Sequence, residues 1–247
     1  MDKNYTALQL YFREPIHITD NITLIQPTIG DFIKYGEKDI YGSIAPFISN
    51  PTTYRLQLWD AGKDWNKVTD YQLFLYLYSD LISKQNFVFK DLEWRGLIPY
   101  QDKDENVIFL NSQNELVFNE EIFNATSECL RDMFNQHPKV EKAKGRTTKE
   151  WIIEDERIKQ MAEKKKKAKN EDSLLLPLIS GLVNHPGFKY KIDELKDIGI
   201  YAFMDSVQRI QVYENSNALL SGMYTGMLDT SKIDTKTELN WFRPLSK

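Results

Sequence analysis

In the first part of the chain, apolar residues recur with the period of a strand in some segments and with the period of a helix in others. The first kind of segment predicts short strands, and the second kind predicts helices. Residues 7–12 and 22–25 read as strands, with turn-forming residues between them. Pro27 precedes apolar positions spaced three and four apart, which predicts a helix. Thr69 begins a capping-box pattern, and residues 70–82 are apolar almost all round. Such a helix belongs in the middle of a core.

The pattern after residue 86 becomes extended and then helical again. Apolar pieces within 87–118 are separated by polar clusters, as in antiparallel hairpins, and Asn119 caps the helix that follows. A long helix over 148–169 has few apolar residues, so we expect an exposed arm. Further helices are predicted over 174–183, 192–213 and 217–228. The predicted fold class is α+β and predominantly helical.

Aromatic content and charge divide the chain into three predicted parts. Of 31 Phe, Trp and Tyr residues, 22 lie in residues 1–136, whereas 137–187 contain Trp151 alone. Residues 139–169 carry twelve Lys and Arg against six Asp and Glu. We therefore predict an aromatic-rich α+β domain over 1–136, a basic helical linker or arm over 137–172, and a small all-α domain over 173–247.

Overall composition and charge argue against several classes of protein. A net charge of -4 and a pI near 5.5 argue against a dedicated nucleic-acid-binding domain. The first residues do not resemble a secretion signal, and no apolar run reaches the roughly 20 residues of a membrane span. Cys129 is the only cysteine, which fits a reducing cytoplasm. The sequence thus predicts a cytoplasmic protein that does not enter membranes.

Candidate chemistry is sparse, and we predict no catalytic site, no metal site and no cofactor. Residues 102–106 match the first half of a calcium loop, but Val107 and Gln113 occupy its turn and bidentate positions. The three histidines lie far apart and none has a ligand-spaced partner. Glycine-rich phosphate loops and nucleophile elbows are absent from the sequence. A site assembled from distant acidic or histidine side chains remains the enzymatic alternative.

Two features are candidates for partner binding. The first is the basic run Lys164, Lys165, Lys166 and Lys167, continued by Lys169. Such a run is usually a solvated helix face, although it can also bind phosphate or an acidic protein. The second is the pair Trp241 and Phe242, which either packs back on the last helices or docks a partner.

Two stretches resemble a family encoded by tailed bacteriophages and prophages of Gram-positive hosts, in the region of tail-morphogenesis genes. The first is 50–60, NPTTYRLQLWD, continued through 62–74, and the second combines 205–211 with 238–245. This resemblance implies a non-enzymatic tail assembly chaperone that binds the tape-measure protein in the host cytoplasm. Tape-measure or other tail proteins are the implied partners, and a homo-oligomer through the arm is a further possibility.

Other functions stay open on the sequence alone. The chain is alternatively a structural tail or neck component that remains in the virion. A third interpretation is a module that binds nucleic acid or a host protein through the basic segment 139–169, although the overall acidity disfavours nucleic acid.

Overall fold

The computed structural model describes residues 3–90, 92–103, 105–111, 116–167, 173–226, 231 and 233–245. Within them, ten α-helices accompany a two-stranded and a three-stranded antiparallel sheet, which confirms the predicted α+β, mainly helical class. The helices are Ala7–Tyr11 (α1), Ile29–Tyr35 (α2), Glu37–Ile48 (α3), Arg55–Asp60 (α4), Asp70–Ser83 (α5), Glu120–Met133 (α6), Arg146–Lys167 (α7), Leu176–Val183 (α8), Ile200–Tyr224 (α9) and Thr235–Glu238 (α10). The strands are Ile16–Thr19 (β1), Ile22–Leu24 (β2), Ile98–Gln101 (β3), Val107–Asn111 (β4) and Leu116–Phe118 (β5).

Local capping explains why several helices begin where the sequence predicts. The side chains of Thr28 and Thr69 accept hydrogen bonds from the third backbone N–H of α2 and α5, forming complete capping boxes. Asn119 accepts from the backbone N–H of Ile122 at the start of α6, beside the acidic first turn. These three predictions are confirmed.

Three predicted elements differ in the structure. Residues 7–12 are not a strand, because Thr6 and Gln9 close a capping box that starts α1. The segment around Phe89 forms only an isolated bridge to Leu24. The two helices predicted over 192–213 and 217–228 are instead one continuous helix, α9, which begins at Ile200 after a 3-10 turn and ends at Tyr224, while residues 227 and 228 lie outside the described residues.

The core is built from stacked and edge-on aromatic rings. Phe47, on α3, is fully buried and contacts the rings of Phe74, Phe89, Trp94 and Phe123 at centroid distances of 5.2 to 6.1 Å. Three of these pairs are tilted and the fourth is stacked, and such aromatic pairs contribute about 0.5–1.5 kcal/mol each beyond the effect of the area that they bury. The core therefore joins α3, α5 and α6 to the loop that precedes β3.

The later part of the chain packs on this same core. The backbone N–H groups of Ile29 and Ile200 donate to the carbonyls of Ile198 and Pro27, at 3.0 and 3.1 Å. Gly199 is required at this crossing, since a Cβ there would lie 2.0 Å from the Gln26 amide oxygen.

A carboxylate from the first part of the chain also binds the turn that leads into α8. Glu37 accepts hydrogen bonds from the hydroxyl of Ser173 and from the backbone N–H of Leu174, the latter at 2.7 Å. Leu175 and Leu182, which follow this turn, are buried in the main core. The turn that enters α8 and the burial of that helix thus both depend on the first part of the chain.

Candidate interaction surfaces

An extended segment of residues 138–145, here called the strap, leads from the core to α7. Asn50 donates to the carbonyl of Lys139 at 3.0 Å, and Asn66 donates to the carbonyl of Ala143 at 2.7 Å. The indole of Trp65 donates to the carbonyl of Glu141 at 3.2 Å. Side chains thereby satisfy the backbone of a segment that has no secondary structure, which fixes the path of the strap.

Ion pairs and a small apolar cluster hold the first half of α7 against α4. Arg55 bridges Glu141 and Glu156 at 2.7 and 2.6 Å. Ile153 is 2% exposed in a cluster with Leu56, Trp65 and other apolar residues. The expectation of a wholly exposed arm is therefore wrong for this half, because α7 contributes a buried face of its own.

Further charged contacts lie on either side of that cluster. Lys149 contacts Asp64 at 2.6 Å, and Arg157 pairs with Asp60. The hydrogen bond from Lys149 lowers the pKa of the Asp64 carboxyl below its usual value, outweighing the opposing effect of burial. The partners of these α7 residues, Arg55, Asp60 and Asp64, all lie within 50–74, the first of the stretches that carry the family resemblance. In the structure, that stretch holds the first half of α7 in place.

The opposite side of α7 carries a separate row of apolar side chains. Trp151, Ile158 and Met161, here called the outer stripe, are 76%, 60% and 63% exposed. At 100° per residue they lie within an arc of about 80°, in which Trp151 and Ile158 are turned away from Ile153 and Met161 lies at the side. Large apolar side chains in a row with this exposure are typical of an interaction surface.

The four predicted lysines lie at the C-terminal end of α7. Lys165, whose side chain is the described one of the four, is exposed, and Lys169 lies outside the described residues. Helix C-terminal lysines complement the negative end of the helix dipole, so this position stabilises α7 as well as presenting charge.

The C-terminal tail folds back along α9. Arg209 donates to the backbone carbonyls of Trp241 and Arg243, at 2.7 and 2.8 Å. About two helical turns further along, Ser216 donates to the carbonyl of Glu238 at 2.7 Å. The two halves of the second resembling stretch, 205–211 and 238–245, are therefore in contact, and Arg209 is the residue that joins them.

This arrangement exposes an aromatic pair. Trp241 packs edge-on against Tyr213 at 5.4 Å and stacks on Phe242 at 3.8 Å. Trp241 is half-buried, whereas Phe242 is 73% exposed. Tyr213, Leu220 and Tyr224 share one face of α9 by their spacing, and Tyr224 is 84% exposed. These five residues are here called the tail surface: Tyr213, Leu220, Tyr224, Trp241 and Phe242.

A buried carboxylate between α6 and the N-terminal segment is the main polar cluster of the described interior. Asp132 is 4% exposed and accepts from Lys3 at 2.6 Å and from the Tyr5 hydroxyl at 2.9 Å. Burial, together with Asp132, raises the pKa of Tyr5 well above its ordinary range. The adjoining cavity, closed by Asp205 and Leu245, measures about 50 Å³. That volume suits a few water molecules.

Other titratable groups are poor candidates for chemistry. Burial raises the pKa of the Cys129 thiol to about 12, and Asp132 adds to the shift. Across the part of the chain that the structure describes, no three His, Cys, Asp or Glu side chains gather as a metal-binding group. The acidic hairpin loop at 102–106 has Asp102 accepting from the backbone N–H of Asn106, as in an ordinary turn, although residue 104 lies outside the description. No helix among the described residues is long and apolar enough to cross a bilayer.

Sequence reasoning found the tail pair, the basic run and a possible homo-oligomer through the arm, but it did not show which apolar residues of the arm are exposed. The spacing of the outer stripe was visible, yet Ile152 and Ile153 are equally apolar, and only their packing on α4 shows which side of the helix is covered. The strap was missed for a similar reason. Its partners Asn50 and Asn66 are ordinary loop residues until the fold brings them to it.

Residues 164–246 match the model of a protein family described as the YomV second domain, a family of the phage and prophage type. The match covers the end of α7, α8, α9 and the tail, and thus the whole of the tail surface. No curated protein and no solved structure matches the chain. The phage character of the resemblance is therefore supported over this C-terminal part, whereas a connection with tails rests on the sequence resemblance alone.

Proposed function

We propose that this chain is a non-enzymatic phage morphogenesis factor that acts in the host cytoplasm as a tail assembly chaperone and binds helical segments of the tape-measure protein. The observation that carries the proposal is the tail surface. Phe242 is exposed and stacks on the half-buried Trp241, Arg209 fixes the backbone of this pair in place, and the pair lies inside the segment that resembles a phage family.

The physical properties of the tail surface suit an amphipathic helix as partner. Aromatic residues dominate the energy of protein interfaces because they bury a large area with few rotatable bonds. Trp241 is restrained by Tyr213 and by the backbone contacts of its own carbonyl, so Phe242 is presented with little loss of entropy on binding. A tape-measure protein is long, helical and apolar, and it needs such surfaces to stay soluble before assembly.

The interior supports a binding role over a catalytic one. The Cys129 thiol is held protonated by burial, and the cavity beside Asp132 has room for water only. Asp132 itself is engaged by Lys3 and Tyr5. These contacts tie chain segments together, which is a structural task.

Co-expression with the tape-measure protein encoded beside this chain tests the proposal. We expect the soluble yield of that protein to rise and the two chains to elute together from a gel-filtration column. Phe242→Ala should weaken the complex about 10- to 100-fold, as truncation of an interface hot spot does. Tyr100→Ala is the matched control, because Tyr100 is 61% exposed on β3 and lies outside the tail surface.

Four outcomes would contradict the proposal. If no complex forms, the tape-measure protein is not the partner. If the two variants lose binding equally, the tail surface is not the binding site. Recovery of the chain from purified virions by mass spectrometry would favour a structural tail or neck component instead. A salt-steep affinity for DNA, lost when Lys164–Lys167 become glutamine, would favour the nucleic-acid alternative.

A further inference from the structure

The outer stripe of α7 has the spacing of a coiled-coil seam. Ile158 follows Trp151 by seven residues, and Met161 follows Ile158 by three, which are the separations of core positions in a heptad repeat. The same repeat places Glu154 and Lys165 at the flanking core positions. Both are exposed, as is the stripe itself.

Charge is distributed unevenly along this helix. Residues 152–156 contain three acidic and no basic side chains, whereas 163–167 contain four lysines and one glutamate. The net charges of the two segments are therefore -3 and +3. A second copy in the parallel direction would set like charges opposite each other, but an antiparallel copy would set each segment against its opposite.

A single antiparallel register matches two of the outer-stripe residues, Ile158 and Met161, together with the charged positions. When Ile158 of one copy packs against Met161 of the other, the two-fold axis generates a second, identical contact in which Met161 of the first copy packs against Ile158 of the second. The same register pairs Glu154 with Lys165, again twice, and aligns 152–156 with 163–167. Apolar residues thus lie at the centre of the pairing, and complementary charges lie at both ends.

We propose that two copies of this chain associate through the outer stripes of α7 as an antiparallel helix pair in that register. The inference does not depend on the tail surface or on the proposed partner. A helix of this length buries less area than a standard interface, so we expect a dissociation constant on the order of 10 µM. Because the charged ends are exposed, the association should weaken as salt is added.

Sedimentation measurements from about 1 to about 500 µM test the association, since this range spans the expected constant. The wild-type chain should pass from monomer to dimer. Ile158→Asp should stay monomeric throughout, while Ile192→Asp, a change at a similarly exposed residue away from α7, should dimerise as the wild type does. Circular dichroism checks that both variants fold. A monomeric wild-type chain at every concentration, or a dimer that survives Ile158→Asp, would overturn the proposal.

A charge exchange tests the register and direction. Glu154→Lys and Lys165→Glu should each weaken the dimer about tenfold or more, because each sets two pairs of like charges opposite one another. The double variant should recover the wild-type association. A double variant that is weaker than either single variant would exclude the antiparallel pairing.

Disulfide trapping provides an independent measure of direction. In the proposed register, residue 154 lies beside residue 165 of the other copy but about 16 Å along the axis from its own equivalent. A mixture of Glu154→Cys and Lys165→Cys chains should therefore cross-link, and neither chain should do so alone. Cys129 is buried and should not interfere. Cross-linking of Glu154→Cys with itself would refute the register.

Discussion

Ile153→Ala separates the two faces of α7. Ile153 is 2% exposed and packs in the small cluster beneath the helix, whereas Ile158 on the same helix is 60% exposed. The two substitutions remove the same atoms from the same helical environment, and alanine favours the helix equally in both. Any difference between them therefore measures burial.

The expected magnitude follows from the groups that are removed. Loss of the buried carbons of Ile153 costs about 0.8 kcal/mol each, and a cavity remains beneath the helix. Because the cluster is small and close to the surface, it can partly collapse, and we expect a total of about 2–3 kcal/mol. Ile158→Ala should change stability by less than about 0.5 kcal/mol.

Hydrogen exchange locates the effect. Because Ile153→Ala weakens the packing of α7 on the rest of the chain, the hydrogen-exchange protection of backbone amides in α7 should drop about 30- to 150-fold. The protection of backbone amides in α5 should stay the same. The measurement is made in dilute solution, so that self-association does not contribute. Equal protection in the two variants would refute the assignment of Ile153 to the packed face, as would a uniform loss across α5 and α7.

Three further predictions concern the tail and the interior. Arg209→Ala removes two charge-assisted hydrogen bonds worth about 1.5–3 kcal/mol each. A protease should therefore cleave the tail sooner, and the fluorescence of Trp241 should shift to the red. Unchanged cleavage and fluorescence would contradict the role of Arg209 in holding the tail. Burial raises the pKa of Asp205, with Arg209 opposing, so the folded state binds the extra proton and stability falls as pH rises from the ordinary carboxyl value through the raised one. Asp205→Asn should therefore raise the melting temperature at neutral pH more than at about pH 4, and an equal change at both would refute this sign. Asp132→Asn should lower the free energy of unfolding, measured by urea denaturation, by about 1–3 kcal/mol. The control is Glu128→Gln, at the half-exposed second partner of Lys3, which should cost less than about 0.5 kcal/mol. Similar costs for the two variants would show that the burial of Asp132 adds nothing to stability.

The sequence predicted those elements whose causes are local. Thr69 and Asn119 cap helices through hydrogen bonds from residues three positions further along, so the pattern alone placed α5 and α6. At residues 7–12 an alternating pattern competed with the Thr6 capping box, and the cap prevailed. Local signals of opposite sense cannot be ranked without the surrounding packing.

Contacts between distant residues lay beyond sequence reasoning. Gln26 joins α1 to the start of α9, with its amide 2.9 Å from the carbonyl of Leu10 and 3.1 Å from the N–H of Tyr201. Nothing in the residues around it indicates either partner. The candidate surfaces follow the same division, since exposed aromatics near the tail could be named from the sequence, but the covered side of α7 could not. The boundaries 1–136, 137–172 and 173–247 remain a prediction.

The contact between Glu37 and the turn before α8 shows that a match in sequence and a unit of packing need not share boundaries. The family match begins at residue 164. The turn before α8 nevertheless donates to a carboxylate of α3, and Phe203 lies in the same core as Phe47. Excised as a fragment, residues 164–246 would lose that contact and expose to water the apolar side chains that now pack on this core. The segment that the family model matches and the segment that packs around one core therefore have different boundaries in this protein.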